Sequence, residues 1–141
     1  MLISETKIRV CYEDTDQMGV VYYGRYPRFY EIGRTEMIRE LGYTYKELEH
    51  LKIFLPARSL NINYIKPALY DQLLTVRTII EKLPNVRFPI KTEIYNEEGE
   101  LINKGETVLV FFDGNTNKPC PAPKFFIDKM SEFFNLSPSS E

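Results

Sequence analysis

The chain contains no tryptophan, one histidine and only two cysteines. Cys11 and Cys120 lie far apart, so there is no disulfide framework and no four-ligand zinc pattern. A reducing cytoplasm is the simplest home for such a chain. His50 is the sole imidazole, so any Ser-His-Asp or Cys-His mechanism would have to use it. It sits in the charged run YKELEHLK with no motif around it. Charge of one sign is also lacking. Eighteen Lys and Arg against twenty Asp and Glu give a net charge of -2. No basic excess exists to neutralise phosphates, which excludes nonspecific nucleic-acid binding. No apolar run approaches the roughly 18 residues of a membrane span. The opening MLISETKIRV has no basic stretch followed by an apolar block, so nothing reads as a signal peptide. What remains is 43% apolar and 27% charged residues. That is the balance of one soluble globular domain spanning residues 1–141.

Periodicity divides the chain. Residues 6–12, TKIRVCY, alternate, which predicts a strand with Ile8, Val10 and Tyr12 on one face and a packed Cys11 on the other. After a polar, glycine-bearing stretch, Tyr26, Tyr30, Gly33, Met37 and Leu41 recur at helical spacing. The stripe predicts a helix of about 25 Å. It starts near Gly24–Tyr26, because Pro27 is tolerated only in a first turn, and it stops at Gly42. Thr44 and Glu47 have capping-box spacing for a short helix over 44–51. Four alternating runs follow, centred on Ile62, Val76, Ile90 and Val110. Pro89 inside the third run predicts an edge position or a bulge. NTNKPCPAP reads as irregular, residues 123–134 as a helix, and 135–141 as a frayed tail. Strands in series joined by tight turns imply an antiparallel sheet. One long apolar helix to cover gives an α+β fold in two layers.

Chemistry concentrates in EDTDQMGVVYYGRYPRFYEIGR. Asp14 and Asp16 lie in a loop between a strand and a buried helix. The start of a helix presents free N–H groups and partial positive charge. A carboxylate beside such donors supplies the nucleophile or base and the oxyanion stabiliser that acyl transfer requires. Two acids in a loop also serve as Asx turns or amide caps, and spacing alone leaves both roles open. If the helix began as early as Tyr23, Pro27 would distort its first turn and leave the Tyr22–Gly24 amides free. Asp71 reads as a turn residue. Arg34 on the long helix can pair with Glu31 or reach the motif loop, and the ion pair is the default expectation.

The segment EDTDQMGVVYYGRYPRFYEIGRTEM resembles the signature of the 4-hydroxybenzoyl-CoA thioesterase family, including the short-chain acyl-CoA thioesterases associated with the Tol-Pal envelope system. PALYDQLLTVRT resembles the family's strand entry, and EEGELINKGETVLVFFD its closing strands. The resemblance implies a single hot-dog domain: a five-stranded antiparallel sheet around one long helix, with a C-terminal helix. It implies an acyl-CoA thioester hydrolase with Asp16 as nucleophile or general base and the Tyr23 N–H as oxyanion donor. Gly19 lets the loop approach substrate, with Tyr22 and Gly24 beside it and Asp14 shaping the loop. Arg87 and Lys91, on one face of their strand, are candidates for the phosphates of coenzyme A. Tyr22, Tyr23 and Phe54 or Leu55 are candidate pocket walls. The position of Tyr23 is His in many Tol-Pal-type relatives. No metal or cofactor is implied, since coenzyme A is part of the substrate. A homodimer forming the active site, and a homotetramer of two dimers, are expected. The alternative is a module of the same fold that binds an acyl-CoA or acyl carrier protein without turnover. A dehydratase is disfavoured because His50 lies outside the helix motif.

Overall fold

The computed structural model describes residues 1–136. The predicted tail falls mostly outside them: the last helix continues to Leu136, and residues 137–141 lie beyond the described part. In chain order the elements are β1 (Leu2–Arg9), α1 (Tyr26–Glu40), α2 (Tyr45–His50), β2 (Ile53–Phe54), β3 (Ala57–Tyr64), β4 (Leu73–Ile80), β5 (Arg87–Tyr95), β6 (Leu101–Val110), β7 (Phe112–Asp113), β8 (Lys118–Pro119) and α3 (Lys124–Leu136). Short 3-10 turns cover Tyr12–Asp14 and Tyr23–Arg25. The main sheet has the order β1-β4-β5-β6-β3, and every neighbouring pair is antiparallel. This is the α+β arrangement that periodicity predicts, with the five-stranded topology that the hot-dog resemblance implies.

Local chemistry explains the boundaries. α1 starts at Tyr26 with Pro27 in its first turn, where a missing N–H costs nothing. Gly42, at φ +96°, takes the left-handed conformation that closes the helix, and the Tyr43 N–H returns to the Ile38 carbonyl. Thr44 caps α2 by accepting from the Glu47 N–H at 3.1 Å. In the β5–β6 turn, Asn96 Oδ1 accepts from the Glu98 and Glu100 N–H groups while Gly99 sits at φ +80°.

Several expectations need correction. β1 begins at Leu2, and its alternation ends before residue 11. Tyr12 is therefore 81% exposed rather than core, and Cys11 is exposed rather than packed. β5 is a central strand, not an edge. Pro89 is tolerated there because its position relative to β4 falls just past Ile80, where that strand has ended. The last long strand stops at Val110. Phe112–Asp113, expected to end that strand, instead joins Ile53–Phe54 and Lys118–Pro119 in a small three-stranded sheet, and of these only Lys118–Pro119 lies in the segment read as irregular.

The inner face of the large sheet packs on α1 as two apolar clusters. One gathers Met37, Ile38, Ile80, Phe88, Phe111 and Phe126; the other gathers Tyr26, Phe29, Leu74, Val76 and Ile94. Between them runs a polar row, because Thr78 pairs with Thr92 and Thr92 with Gly105. Gly33 lies over that row: a Cβ there would come within 2.8 Å of Thr78 Oγ1 and Val76 Cγ1. The helix can approach the sheet this closely only with glycine at that position. The apolar surface of the Tyr26 end is thereby held against the strands, which fixes where the preceding loop emerges.

Candidate active site

The loop ahead of α1 is built from its own backbone. Thr15 bridges Val21, the Asp16 N–H donates to the Val20 carbonyl at 2.9 Å, and the Gly19 N–H donates to the Asp16 carbonyl at 3.0 Å. Gly19 has φ +77°, a conformation open to glycine at little cost. A second bridge, Val20 to Leu69, and the Val21 N–H donating to the Ala68 carbonyl tie the loop to the segment before β4.

Asp14 is the keystone. It is 2% exposed although it is a carboxylate. One oxygen accepts from the Cys11 N–H at 2.8 Å, and the other from Arg25 Nε at 2.8 Å. Arg25 also reaches the Glu13 carbonyl at 3.1 Å, so it fastens the start of the loop to the entry of α1. Burial of a charge on this scale requires such a partner. Asp14 therefore shapes the loop, as the sequence suggests. Arg25 is a residue that sequence reasoning missed; its only signal was a basic side chain eleven residues after an acid.

Asp16 differs in burial and in charge pairing. It is exposed, its Oδ1 accepts from the Met18 N–H at 2.8 Å, and it forms no ion pair among the described residues. Tyr22, Tyr23 and Gly24 follow on the same hairpin, with Tyr23–Arg25 forming the 3-10 turn that leads into α1. The Tyr22 N–H is not free, as it donates to the Asp14 carbonyl at 2.9 Å. The expectation of three free amides is thus corrected to two. Among the described residues, neither the Tyr23 N–H nor the Gly24 N–H has an acceptor. The Tyr22 and Tyr23 rings lie 4.7 Å apart, and a hydrogen bond with Tyr23 pushes the Tyr22 hydroxyl above its ordinary pKa.

A groove of about 300 Å³ opens beside this turn, lined by Val21, Tyr23, Tyr26, Tyr64, Ile65 and neighbours. Tyr64, on β3, donates to the Tyr23 carbonyl at 3.0 Å and meets the Tyr26 ring edge-on at 5.4 Å. It too was missed; the signal was an aromatic on the inward side of an alternating strand. Asp16 does not line this groove. Phe54 and Leu55 line a separate, largely apolar cleft of about 530 Å³ with Tyr45, Glu49, Pro56 and Phe112.

The structure places Asp16, Gly19, Tyr22, Tyr23 and Gly24 on one hairpin, apart from Arg87 and Lys91. Arg87 pairs with Val110, at the end of the sheet where β4 finishes and β1 begins, whereas the Asp16 loop follows the opposite end of β1. Both basic residues are exposed on the outer face, around a groove of about 330 Å³ with Lys82 and Glu106. Lys91 is paired with Glu81 at 2.9 Å. Asp71, at φ +69°, serves the turn into β4 and accepts from Arg9 through its carbonyl at 2.7 Å. Arg34 makes no ion pair with Glu31 among the described residues, contrary to the helix-spacing rule. Its guanidinium instead draws the Tyr45 pKa down, against a larger upward push from burial. Among the described residues no cluster of acids, cysteines and histidines could hold a metal, and no helix is long and apolar enough to cross a membrane.

The profile of the thioesterase-like superfamily matches residues 10–130. The chain belongs to that superfamily. Its sequence is 36% identical to YneP of Bacillus subtilis over 91% of this chain and 93% of that protein. It is 33% identical to the acyl-CoA thioester hydrolase YbgC of Escherichia coli, over 89% of this chain and 93% of that one. The crystal structure of a DHNA-CoA thioesterase from Staphylococcus aureus superposes with a TM-score of 0.88 at 35% identity, covering 100% of this chain and 97% of that chain. The superfamily's match begins at Val10, so it takes in the whole Asp16 loop.

Proposed function

We propose that this enzyme is an acyl-CoA thioester hydrolase in which Asp16 acts on the thioester carbonyl and the Tyr23 turn receives the oxyanion. The observation that carries the site assignment is the pair of N–H groups at Tyr23 and Gly24, left without acceptors on the same hairpin as an unpaired carboxylate. Donors fixed in place before reaction stabilise developing charge without reorganising. Asp16 either takes a proton from a water that attacks the carbonyl carbon or attacks it directly. In the second case water then cleaves the mixed anhydride. On both routes the carbon–sulfur bond breaks, and CoA leaves as a thiol after gaining one proton. A thioester is already activated, so this small set of groups suffices.

A second protomer completes the site. β3 is a terminal strand with one neighbour, and its inward row, Leu60, Ile62 and Tyr64, is left largely uncovered. Only one of its eight residues, Arg58, is charged. The other edge strand, β1, carries Glu5, Lys7 and Arg9 and is thereby protected against pairing. Antiparallel pairing of β3 with its copy places one chain's Arg87 end beside the other chain's Asp16 end. Arg87 and Lys91 then join the site from the second protomer, and Phe54 and Leu55 offer an apolar wall for the acyl group. Two such dimers form the tetramer that the resemblance implies. The free Cys11 and Cys120 suit a reducing cytoplasm. The test is release of free thiol from short, medium and aromatic acyl-CoAs. Binding of all of them with no release at enzyme concentrations near that of the substrate would refute hydrolysis.

A further inference from the structure

We propose that Glu31 and Arg34 form reciprocal ion pairs across the two-fold of the dimer and set the register in which one protomer completes the other's site. The inference rests on the dimer reading above and adds the residues that align it. Tyr26, Tyr30 and Arg34 follow one another at four-residue steps along α1, so they share one side of the helix. That side faces β3, since Tyr26 meets Tyr64 there and the Tyr30 hydroxyl donates to Asn103 on β6, opposite Tyr64. The backbone of α1 packs on β1 and β4, and from there these long side chains reach across the sheet to its open edge. When two copies pair through β3, their α1 helices come side by side and antiparallel.

The level along the helix follows from the strand register. Gly33 sits on Thr78, and the row Thr78–Thr92–Gly105 ends at Ile62 on β3. Ile62 is within two residues of the middle of β3 (Ala57–Tyr64), where the two-fold of a self-paired strand falls. Glu31 and Arg34 therefore stand at the height of that axis, about one helical turn apart. An axis between them brings each Glu31 opposite the other chain's Arg34. Within one chain both lack an ionic partner among the described residues. Arg34 Nε is buried with no acceptor, and Glu31 is exposed on the open side. A buried guanidinium nitrogen without an acceptor is costly, and a carboxylate from a second copy removes that cost.

Charge reversal with mixing tests this. Glu31→Arg and Arg34→Glu each place like charges opposite one another in a homodimer. Each is expected to raise the dimer dissociation constant about tenfold or more by sedimentation velocity, and to lower thioesterase activity at low enzyme concentration. An equimolar mixture of the two variants restores both, because every facing pair is then opposite in charge while each chain alone still carries like charges at 31 and 34. The double swap E31R/R34E dimerises like the parent. Should a reversal fail to fold, Glu31→Gln and Arg34→Gln replace it, each expected to weaken the dimer by roughly threefold. Single variants as tightly dimeric as the parent, or a mixture no tighter than its components, would overturn the proposal. A parent with the predicted mixing behaviour that releases no thiol would instead refute hydrolysis and leave this register intact.

Discussion

Replacing Asp16 by asparagine separates charge from shape at the candidate site. In the loop, Asp16 Oδ1 accepts from the Met18 N–H at 2.8 Å, and asparagine keeps an oxygen in that place. The backbone bonds from Asp16 to Val20 and from Gly19 to Asp16 do not involve the side chain. The position is exposed and carries no ion pair among the described residues, so stability should change by no more than about 0.5 kcal/mol. Chemistry should change far more. Loss of a general base or nucleophile lowers kcat by about 10²–10⁴, or about 3–5 kcal/mol of transition-state stabilisation. KM should stay near that of the parent, because the groove beside Tyr23 is untouched. Asp16→Ala is the companion variant. It also forfeits the bond to Met18, worth about 1 kcal/mol, and so should melt slightly earlier at equal or lower activity. Thiol release with a thiol-reactive dye measures the first effect, and thermal unfolding the second. An asparagine variant that hydrolyses every acyl-CoA of the panel within threefold of the parent would refute the assignment of Asp16.

Asp14→Ala should cost about 3 kcal/mol in denaturant unfolding, at the low end for a broken buried pair because the partly exposed Arg25 can rehydrate, and it should slow hydrolysis by loosening the Asp16 loop. Gly33→Ala should destabilise by about 1–3 kcal/mol, since its methyl would meet Thr78 and Val76 at 2.8 Å; a gain in stability, as helix propensity alone predicts, would show that the helix can lift off the sheet. Burial holds the Tyr30 hydroxyl well above the usual tyrosine pKa. The neutral form is thus favoured by folding, and its contribution is full below about pH 10 and lost as pH rises toward the folded value. Tyr30→Phe should therefore flatten the decline of stability above pH 10, while costing about 1–3 kcal/mol at neutral pH because Asn103 Oδ1 loses its donor. Tyr26, Tyr45 and Tyr95, also raised by burial, contribute to the slope that remains.

The Asp16 loop and the helix after it were legible in the residues because the signals are local. Pro27, Gly42 and the Thr44–Glu47 pair bound their helices through contacts a few residues away, and alternation alone marks β4, β5 and the closing residues of β6. The acid, glycine and tyrosines of the Asp16 hairpin are likewise neighbours along the chain. Tertiary structure decided what depends on distant partners. It showed that Pro89 can occupy a central strand because β4 stops short, which no feature of RFPIK discloses. It divided the two acids, burying Asp14 against Arg25 and leaving Asp16 in solvent, although both are aspartates two residues apart. It carried Arg87 and Lys91 to the far end of the sheet from Asp16, so that the linear order of motifs does not assemble a site within one chain. Strand order and strand length set those relations, and both follow from which surfaces meet once the whole chain has packed.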